Sequence, residues 1–504
     1  MATLLGAACP AAATDVDGKL ITSKRIRFGE QVSAPASIPV SGWSFDARAG
    51  ARVRIRVAGA KRVRLRGPKV LGGDWNTPWT YDGAAARTIT FQVPRSGRYG
   101  VFAWASGKRI VELTLRCVAA PCSRPAWPRA PAESRVYIIA VGDTGLQPHR
   151  SADDALGGYK YGEYHLFTEM VEGFERFLDD GDLNVVNVET AVTSRGRPAA
   201  KRYNFRMHAN GLRTLATAGF DAFAMANNHA GDYGPTGIKD GLMALEVLKA
   251  ERARMGFAGI GHGRDAAIRP HVFERSGVRI AFASVGFGFA LDPRGPYMAS
   301  LNDLDDVLGA LRAANADVRI LSAHFGSERK LVPGPDQRAL AQKVMAAGID
   351  ILHGHHPHVV QGIERIGHGI VLYSVGNFLL RGARNMGTLN ADMDYGAAVR
   401  LGLDRETYTI RTLEVVPLYD MHRVVFPLER DAAARRIMRL NRRSASLGTT
   451  GVELRVDTAT GYGVAEFDAR ARPVRSRPAT AAADGKAAIE EDGDDDAEFG
   501  DEDD

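Results

Sequence analysis

Cysteine is scarce in this chain of 504 residues, with three in all, at Cys9, Cys117 and Cys122. None of them forms a C-x-x-C pair, so a zinc-ribbon type of site is excluded. Cys117 and Cys122 are spaced to close a small disulfide loop in an exported protein, and two free thiols at a domain edge are the equal alternative. The cysteines therefore assign no function.

Long apolar runs are also missing, and none approaches the roughly 18 residues that a membrane-spanning helix needs. The first thirteen residues, MATLLGAACPAAA, are apolar and end in small residues, but they lack the basic region of a signal peptide. We interpret residues 1–33 as a segment holding the remnant of an export signal that starts upstream, with Cys9 as a poor lipoprotein cysteine as the alternative. We expect a protein of the cell envelope, periplasmic or extracellular, or a cytoplasmic one if this N-terminus is complete.

The chain is 45% hydrophobic and 25% charged, which is typical of a soluble globular protein with a sizeable core. Its length predicts two or three domains. Residues 484–504 carry twelve acidic side chains and one lysine, so a net charge of +6 for the whole chain leaves +17 for the remainder. The acidic tail, residues 467–504, is too charged and too poor in apolar residues to fold.

The basic remainder suits an anionic polymer, a phosphorylated substrate or membrane head groups, and a solvated arginine-rich surface is the equal alternative. We do not expect nucleic acid as a partner.

Residues 34–122 predict an all-β sandwich or jelly-roll module, because short alternating segments such as ARVRIRV at 51–57 are bounded by turn residues. Trp75, Trp79 and Tyr81 of this stretch are sugar-binding candidates, although packing on the module's own core is the more frequent role of such aromatics. Residues 123–134 contain three prolines and predict a stiff linker.

Residues 135–466 alternate between apolar strand patterns, such as Leu183–Val188, and amphipathic helix patterns, such as Leu304–Ala313. This alternation indicates a layered α/β domain whose motifs extend to about residue 425. Polar side chains stand where strands stop, the usual place for sites in such sheets. These residues include Asp143, Glu189, the run from Asn227 to His229 with Asp232, and His324 with Glu328.

Histidines cluster at His353, His355, His356 and His358, and His324 precedes them. Neutral imidazole is the commonest side-chain ligand of Zn, Mn and Fe, and two histidines at i, i+2 after a short strand can aim at one point. A surface histidine patch is the less favoured alternative, because Pro357 and the flanking glycines also restrict the backbone. The pattern predicts a metal site.

Six passages together resemble the CapA family of poly-γ-glutamate capsule biosynthesis proteins, whose core is similar to calcineurin-like metallophosphatases. The resemblance covers about residues 135 to 425, and the NNHxxDYG and GHHPHV elements are its most specific parts. The passages are VGDTGL at 141–146, VNVETAV at 186–192, the stretch 203–240, GIGHG at 259–263, LSAHFGSE at 321–328, and GHHPHVVQGIE with VLYSVGNFL at 354–379.

The resemblance implies a calcineurin-like fold and one or two divalent ions, Mn, Fe or Zn. It implies His229 as the acid that protonates a leaving group, with Asp232 orienting it. Arg206 and Glu328 become candidates for substrate contact or support, and His355 is the alternative ligand if the last motif aligns one residue earlier. The implied metal ligands are Asp143, Glu189, Asn228, His324, His356 and His358.

Two departures from the wider phosphoesterase pattern bear on activity. The usual Asp-x-His opening is Asp143-Thr144-Gly145 here, so one histidine ligand is missing, and the usual Gly-Asn-His-Asp is Asn227-Asn228-His229-Ala230. These departures leave one metal position weaker, empty or filled by a different ligand. On the strength of the resemblance we nevertheless expect a metal-dependent hydrolase of phosphoesterase type in capsule or envelope polymer production. The alternative is a non-catalytic, metal-binding component of a polyglutamate synthesis or export complex, and an inert adhesive surface protein is disfavoured by the ligand set.

Overall fold

The computed structural model describes strand residues between 12 and 119 and then residues 126–146, 171, 174–288, 291–381, 396–419, 421 and 425–468. The chain divides into two units, Met1–Arg472 and Pro473–Asp504, and all described residues lie in the first. Cys9, Cys122, Trp75 and Trp79 lie outside the described residues, as do residues 469–504 of the acidic tail. No helix among the described residues is long and apolar enough to cross a membrane.

Every regular element described between residues 12 and 119 is a strand. These strands form a six-stranded sheet in the order β1-β2-β4-β9-β6-β7 and a four-stranded sheet in the order β3-β10-β5-β8. Their separation into an independent module stays a prediction. The strands are β1 (Ala12–Thr14), β2 (Leu20–Arg25), β3 (Gln31–Ala34), β4 (Val40–Ala47), β5 (Arg52–Ala58), β6 (Ala60–Arg66), β7 (Thr80–Ala84), β8 (Thr88–Gln92), β9 (Gly97–Ala105) and β10 (Val111–Ala119).

The rest of the described chain alternates strands with helices, as the hydrophobic patterns predict. The strands are β11 (Arg135–Gly145), β12 (Leu183–Val188), β13 (Ala191–Val192), β14 (Arg206–Met207), β15 (Ala222–Ala224), β16 (Gly256–Ala258), β17 (Ile260–Gly261), β18 (His271–Arg275), β19 (Val278–Gly286), β20 (Tyr297–Met298), β21 (Val318–His324), β22 (Ile351–His355), β23 (Ile363–Ile366), β24 (Gly369–Leu372), β25 (Asn377–Leu380), β26 (Gly396–Asp404), β27 (Ile410–Tyr419), β28 (Phe426–Pro427), β29 (Arg455–Val456) and β30 (Gly463–Glu466). The helices are α1 (Glu175–Leu178), α2 (Ala209–Ala218), α3 (Gly234–Glu251), α4 (Arg264–Ile268), α5 (Leu304–Ala313), α6 (Pro335–Ala346) and α7 (Arg430–Ala445).

Two large sheets organise this region. The first has ten strands along the order β16-β15-β12-β11-β26-β27-β30-β29, with β25 beside β11 and β28 beside β27. The second has six strands in the order β18-β19-β21-β22-β24-β23. In the first sheet, strands β11, β12 and β15 run parallel to one another. In the second sheet, strands β19, β21 and β22 also run parallel to one another. The carboxyl ends of parallel neighbours lie at one edge of their sheet.

Alternation along the strands shows how the sheets stack. On β11, Ile138 packs in an apolar core that also contains Ile320 of β21, whereas Ile139 packs in a second core with α2 and α3. On β21, Leu321 packs in a third core with α5 and α6. Successive strand residues point to opposite faces, so the two sheets lie face to face with helices outside both of them. The order of layers is helices, sheet, sheet, helices.

The predicted proline-rich linker, 123–134, is packed against the α/β region where it is described. Trp127 is buried, and its indole N–H donates to the Phe177 carbonyl at 2.8 Å. Arg400, fully buried on β26, lies with its guanidinium 4.9 Å from the Trp127 ring centre and is paired with Glu414 at 2.5 Å. This part of the linker is therefore docked on the domain that follows it.

Candidate metal centre

The first ligand candidate, Asp143, stands at the carboxyl end of β11, where the strand is irregular. Gly142 interrupts the register with β12, and a Cβ at this position would lie 1.7 Å from the Gly376 carbonyl oxygen. Only glycine, which has no Cβ, permits the two backbone segments to come this close. The next residue links them, since Asp143 N–H donates to the Gly376 carbonyl at 3.1 Å. The bulge turns the fully buried Asp143 carboxylate to the sheet edge.

Glu189 follows β12 directly, and its side chain is fully buried. Neither carboxylate oxygen has a hydrogen-bond partner among the described residues. Instead Oε1 lies 3.4 Å from His324 Nε2, 3.6 Å from His358 Nε2 and 3.9 Å from His229 Nε2. A buried carboxylate without donors is costly unless a cation balances it.

His324 ends β21 in the second sheet and pairs in register with His355 of β22. Its Nε2 lies 2.7 Å from Asn228 Oδ1, and its Nδ1 lies 2.8 Å from His355 Nδ1. His355 Nδ1 is also 3.6 Å from Asp143 Oδ1. The two sheets thus bring the predicted ligands of both halves of the sequence to one place.

His356 and His358 lie in the loop after β22, and both have positive φ, 101° and 57°. Non-glycine residues rarely adopt this region, and each such residue costs on the order of 1–3 kcal/mol. The loop is held by His356 N–H, which donates to Asp143 Oδ2 at 3.2 Å, and by His358 Nδ1, which lies 3.1 Å from the same oxygen and 2.9 Å from Asn377 Oδ1. This strained geometry turns both imidazoles toward the carboxylates.

Four overlapping groups of side chains have ligand atoms within 4.8 Å of one another, close enough to hold an ion. Two donors that are each about 2.1 Å from one tetrahedral ion are about 3.4 Å apart, which is close to the distances around Glu189 Oε1. The residues present therefore fit one or two divalent ions, and Glu189 belongs to two of the four groups. The groups are Asp143, His324 and His355; Glu189, His324 and His356; Asp143, Glu189 and His358; and Glu328, His356 and His358.

The electrostatics of the cluster are those of a cation site. Burial raises the pKa of Asp143, but the hydrogen bond and charge of His358 outweigh it and hold that pKa well below its usual value. Burial lowers the pKa of His358, yet Glu189 and Asp143 raise it to about 10. Burial and the neighbouring imidazoles lower the pKa of His356 to about 2 and that of His355 well below its usual value. The carboxylates thus keep the positive charge of His358 between them, while the imidazoles of His355 and His356 stay neutral, the form that binds metal.

His229, the predicted acid, lies beside the cluster and is held from three sides. Its Nδ1 is 2.7 Å from Asp232 Oδ2, and its ring stacks on Phe205 with centroids 4.0 Å apart. Asp232 also pairs through Oδ1 with Lys201 Nζ at 2.5 Å, and that ammonium donates to the Asn228 carbonyl at 2.8 Å. The opposite nitrogen, Nε2, therefore faces Glu189 and the inside of the cluster.

The two remaining candidates lie at the edge of the site. Glu328 is exposed, with a carboxylate oxygen within 4.8 Å of ligand atoms of His356 and His358. Arg206 begins β14 next to Phe205, with its guanidinium 5.1 Å from the Tyr233 ring centre. Roles in substrate contact stay predictions for both residues.

Several residues that shape the site were not predicted from the sequence. Asn187 donates to Asp143 Oδ1 at 2.8 Å, and Asn377 contacts His358 as described above. Phe287 packs edge-on against the His356 ring at 4.5 Å. Asn227, the first of the Asn-Asn pair, is structural, since it donates to the Val188 carbonyl at 2.8 Å and accepts from His229 N–H at 3.1 Å. The strand-end positions of Asn187 and Asn377 were a usable signal, whereas nothing local marked Lys201.

Comparison with known proteins adds a family match. Residues 137–381 match the model of a family described as bacterial capsule synthesis protein PGA_cap. The capsule biosynthesis protein CapA of Bacillus anthracis is 30% identical over 238 residues, which are 44% of this chain and 54% of that protein. The PGA biosynthesis protein CapA of Bacillus subtilis (strain 168) is 31% identical over 202 residues, 38% of this chain and 52% of that protein. The chain spans about half the length of the curated relatives it matches.

Among solved structures, TT1561 of Thermus thermophilus is similar over 55% of this chain and 97% of its own length, at 13% identity. The TM-score of this comparison is 0.30.

Proposed function

Because residues 137–381 form a domain of the CapA family of capsule synthesis proteins, as the motifs predicted, we propose that this domain is a metal-dependent hydrolase of phosphoesterase type. It would act in the production of a capsule or envelope polymer such as poly-γ-glutamate. The observation that carries the proposal is Glu189, a fully buried carboxylate without hydrogen-bond donors among the described residues and ringed by three imidazole nitrogens at 3.4–3.9 Å.

The layers support the finer assignment of a calcineurin-like metallophosphatase fold. Two stacked sheets lie between helices, and the candidate ligands stand at the carboxyl ends of β11 and β12 in one sheet and of β21 and β22 in the other. This arrangement agrees with the fold that the resemblance implied. The all-β module before it belongs to the same proposal, as a separate accessory domain.

Asp143, Glu189, Asn228, His324, His356 and His358 would hold one or two ions of Mn, Fe or Zn. Such ions, when bound, supply Lewis-acid polarisation of a phosphoryl oxygen and acidify water at neutral pH. The chain's own residues supply the rest. His229 presents Nε2 to the reacting group, and Asp232 accepts a hydrogen bond from Nδ1–H, which holds the ring so that the Nε2 proton can be given to a leaving group.

The first test measures bound metal by elemental mass spectrometry on the purified full chain, followed by phosphodiester and phosphomonoester assays on the same samples. His356→Ala removes one candidate ligand, and His262→Ala removes an exposed imidazole that pairs with Glu246 away from the cluster. We expect one to two ions in the wild type and in His262→Ala, and loss of both metal and turnover in His356→Ala. No metal after reconstitution would overturn the proposal.

The non-catalytic role in a polyglutamate synthesis or export complex is the alternative outcome. Metal that is bound without any turnover would favour that role. We further propose a place in the cell envelope, and recovery of the native protein wholly in the cytosolic fraction would overturn it.

A further inference from the structure

A line of hydrogen bonds runs from the metal centre into the core. His324 Nδ1 lies 2.8 Å from His355 Nδ1, and His355 Nε2 lies 2.8 Å from Ser322 Oγ. Ser322 Oγ lies 3.1 Å from His353 Nδ1, and His353 Nε2 lies 3.0 Å from the Val141 carbonyl oxygen. All four side chains are fully buried. The inner two, Ser322 and His353, have no part in the function proposed above.

The inner end of the line determines the direction of every bond in it. A carbonyl only accepts, so His353 donates from Nε2, and a neutral imidazole then accepts at Nδ1. The Ser322 hydroxyl gives its single proton to that nitrogen, so Oγ accepts from His355 Nε2–H. His355 in turn accepts at Nδ1, and the donor is His324 Nδ1–H. The Nε2 of His324, toward Glu189 and Asn228, is left with a lone pair. The side-chain amide of Asn228 lies 2.7 Å from this nitrogen and, in the metal-free protein, turns its NH2 group to it, an orientation with the same shape as the one that has Oδ1 there.

The opposite tautomer of His324 conflicts with the same line. With its proton on Nε2, His324 would present a bare Nδ1 to the bare Nδ1 of His355 at 2.8 Å. Reversing His355 and Ser322 to relieve this contact would require protons on both nitrogens of His353, a buried cation that costs several kcal/mol. Asn187 Nδ2 approaches His324 Nδ1 only at 3.4 Å and donates at 2.8 Å to Asp143, so it is the weaker contact.

We propose that Ser322 and His353 are positioning residues that fix the tautomer of His324, so that Nε2 is its metal-binding nitrogen. The inference rests on the proposed metal centre. Partners that orient a ligating histidine in this way typically change metal affinity by about 10–100-fold when they are removed. Here the orienting group is a buried Ser–His pair anchored on a backbone carbonyl of β11.

The first experiment compares Ser322→Ala with Ser284→Ala in the full chain. Ser284 is the matched control, because it is equally buried, pairs in register with Ser322 on the next strand, and accepts from Ala226 N–H at 3.3 Å. The affinity for Zn²⁺ and Mn²⁺ is measured by competition with a chelator. We expect about 10–100-fold weaker binding in Ser322→Ala and near wild-type binding in Ser284→Ala. Equal affinity in the two variants would overturn the inference while leaving the metal centre standing.

The second experiment reads the tautomer directly by ¹⁵N NMR of histidine-labelled, metal-free full chain. We expect His324 protonated at Nδ1, with His355 and His353 protonated at Nε2, and a mixture of His324 tautomers in Ser322→Ala. A wild-type His324 protonated at Nε2 would overturn the inference. This measurement decides the matter even if the wild type binds no metal, a result that would defeat the proposed function instead.

Discussion

Glu189 Oε1 and His324 Nε2 lie 3.4 Å apart, although Glu189 follows a strand of the ten-stranded sheet and His324 ends a strand of the six-stranded sheet. The pair therefore forms only when the two sheets are stacked in their native register. Apolar packing of Ile138 and Phe282 between the sheets supplies that stacking. The candidate metal centre thus depends on the core beneath it.

The buried Glu189 carboxylate should limit the stability of the metal-free protein. Glu189→Gln keeps the shape and removes the charge, so we expect bound metal to fall at least tenfold while the free energy of unfolding without metal rises by roughly 1 kcal/mol or more. Glu414→Gln is the contrast, because it removes the nearer of the two carboxylates beside the fully buried Arg400 and leaves only Asp180, at 3.6 Å, so it should lower that free energy by about 3 kcal/mol. Denaturant unfolding with and without a chelator measures both, and a less stable metal-free Glu189→Gln would contradict the expectation.

Removing the Asp232 charge should separate proton transfer from metal binding. In Asp232→Asn the carboxylate that faces His229 Nδ1 and Lys201 is lost. We expect turnover to fall by about 10²–10³-fold with unchanged metal content, because an oriented acid or base supplies about that much. Asp240→Asn serves as the control, because Asp240 lies on α3 and its carboxylate pairs with Arg195. Equal turnover in the two variants would remove Asp232 from the mechanism.

The bulge at Gly142 should not tolerate a side chain. Gly142→Ala would place its Cβ against the Gly376 carbonyl, so we expect a loss of at least about 3 kcal/mol of unfolding free energy, or failure to fold. Gly309→Ala, in α5, has open space around the new methyl group and should gain up to about 1 kcal/mol. Thermal or urea unfolding tests the pair, and a stable Gly142→Ala protein would show that this backbone contact is not required.

Acid sensitivity should come in part from His271, on β18 away from the metal centre. Burial lowers the pKa of His271 to about 4, and Lys249 and Arg275 add to the shift. Between pH 6.5 and 4 the unfolded chain binds a proton there that the folded chain does not, so the free energy of unfolding falls as the pH drops through that window. Between pH 7.5 and 5 the free energy of unfolding should fall in both proteins. We expect the fall in His271→Leu to be smaller than that in the wild type by roughly 1–2 kcal/mol, after allowance for the partial exposure of His271. Identical losses in urea titrations at the two pH values would contradict this.

Local patterns were sufficient for the elements that carry the site. The apolar runs predicted β12 as Leu183–Val188 and α5 as Leu304–Ala313, and both have those bounds. The strands β26 and β27 were not predicted, since their burial depends on pairing with β11, far away in sequence. The number of strands in the ten-stranded sheet therefore depends on tertiary contacts between distant parts of the chain.

The sequence by itself determined the residue types of the site and their place at strand ends, because parallel strands set their carboxyl ends along one edge. It also determined the resemblance to a capsule synthesis family, through spaced motifs such as GHHPHV. Only the tertiary structure decided which of these side chains meet. Stacking two sheets placed Glu189 against His324, positive φ angles turned His356 and His358 inward, and Lys201 came from a loop to Asp232. Contacts between distant segments depend on packing and backbone geometry, which no local pattern encodes.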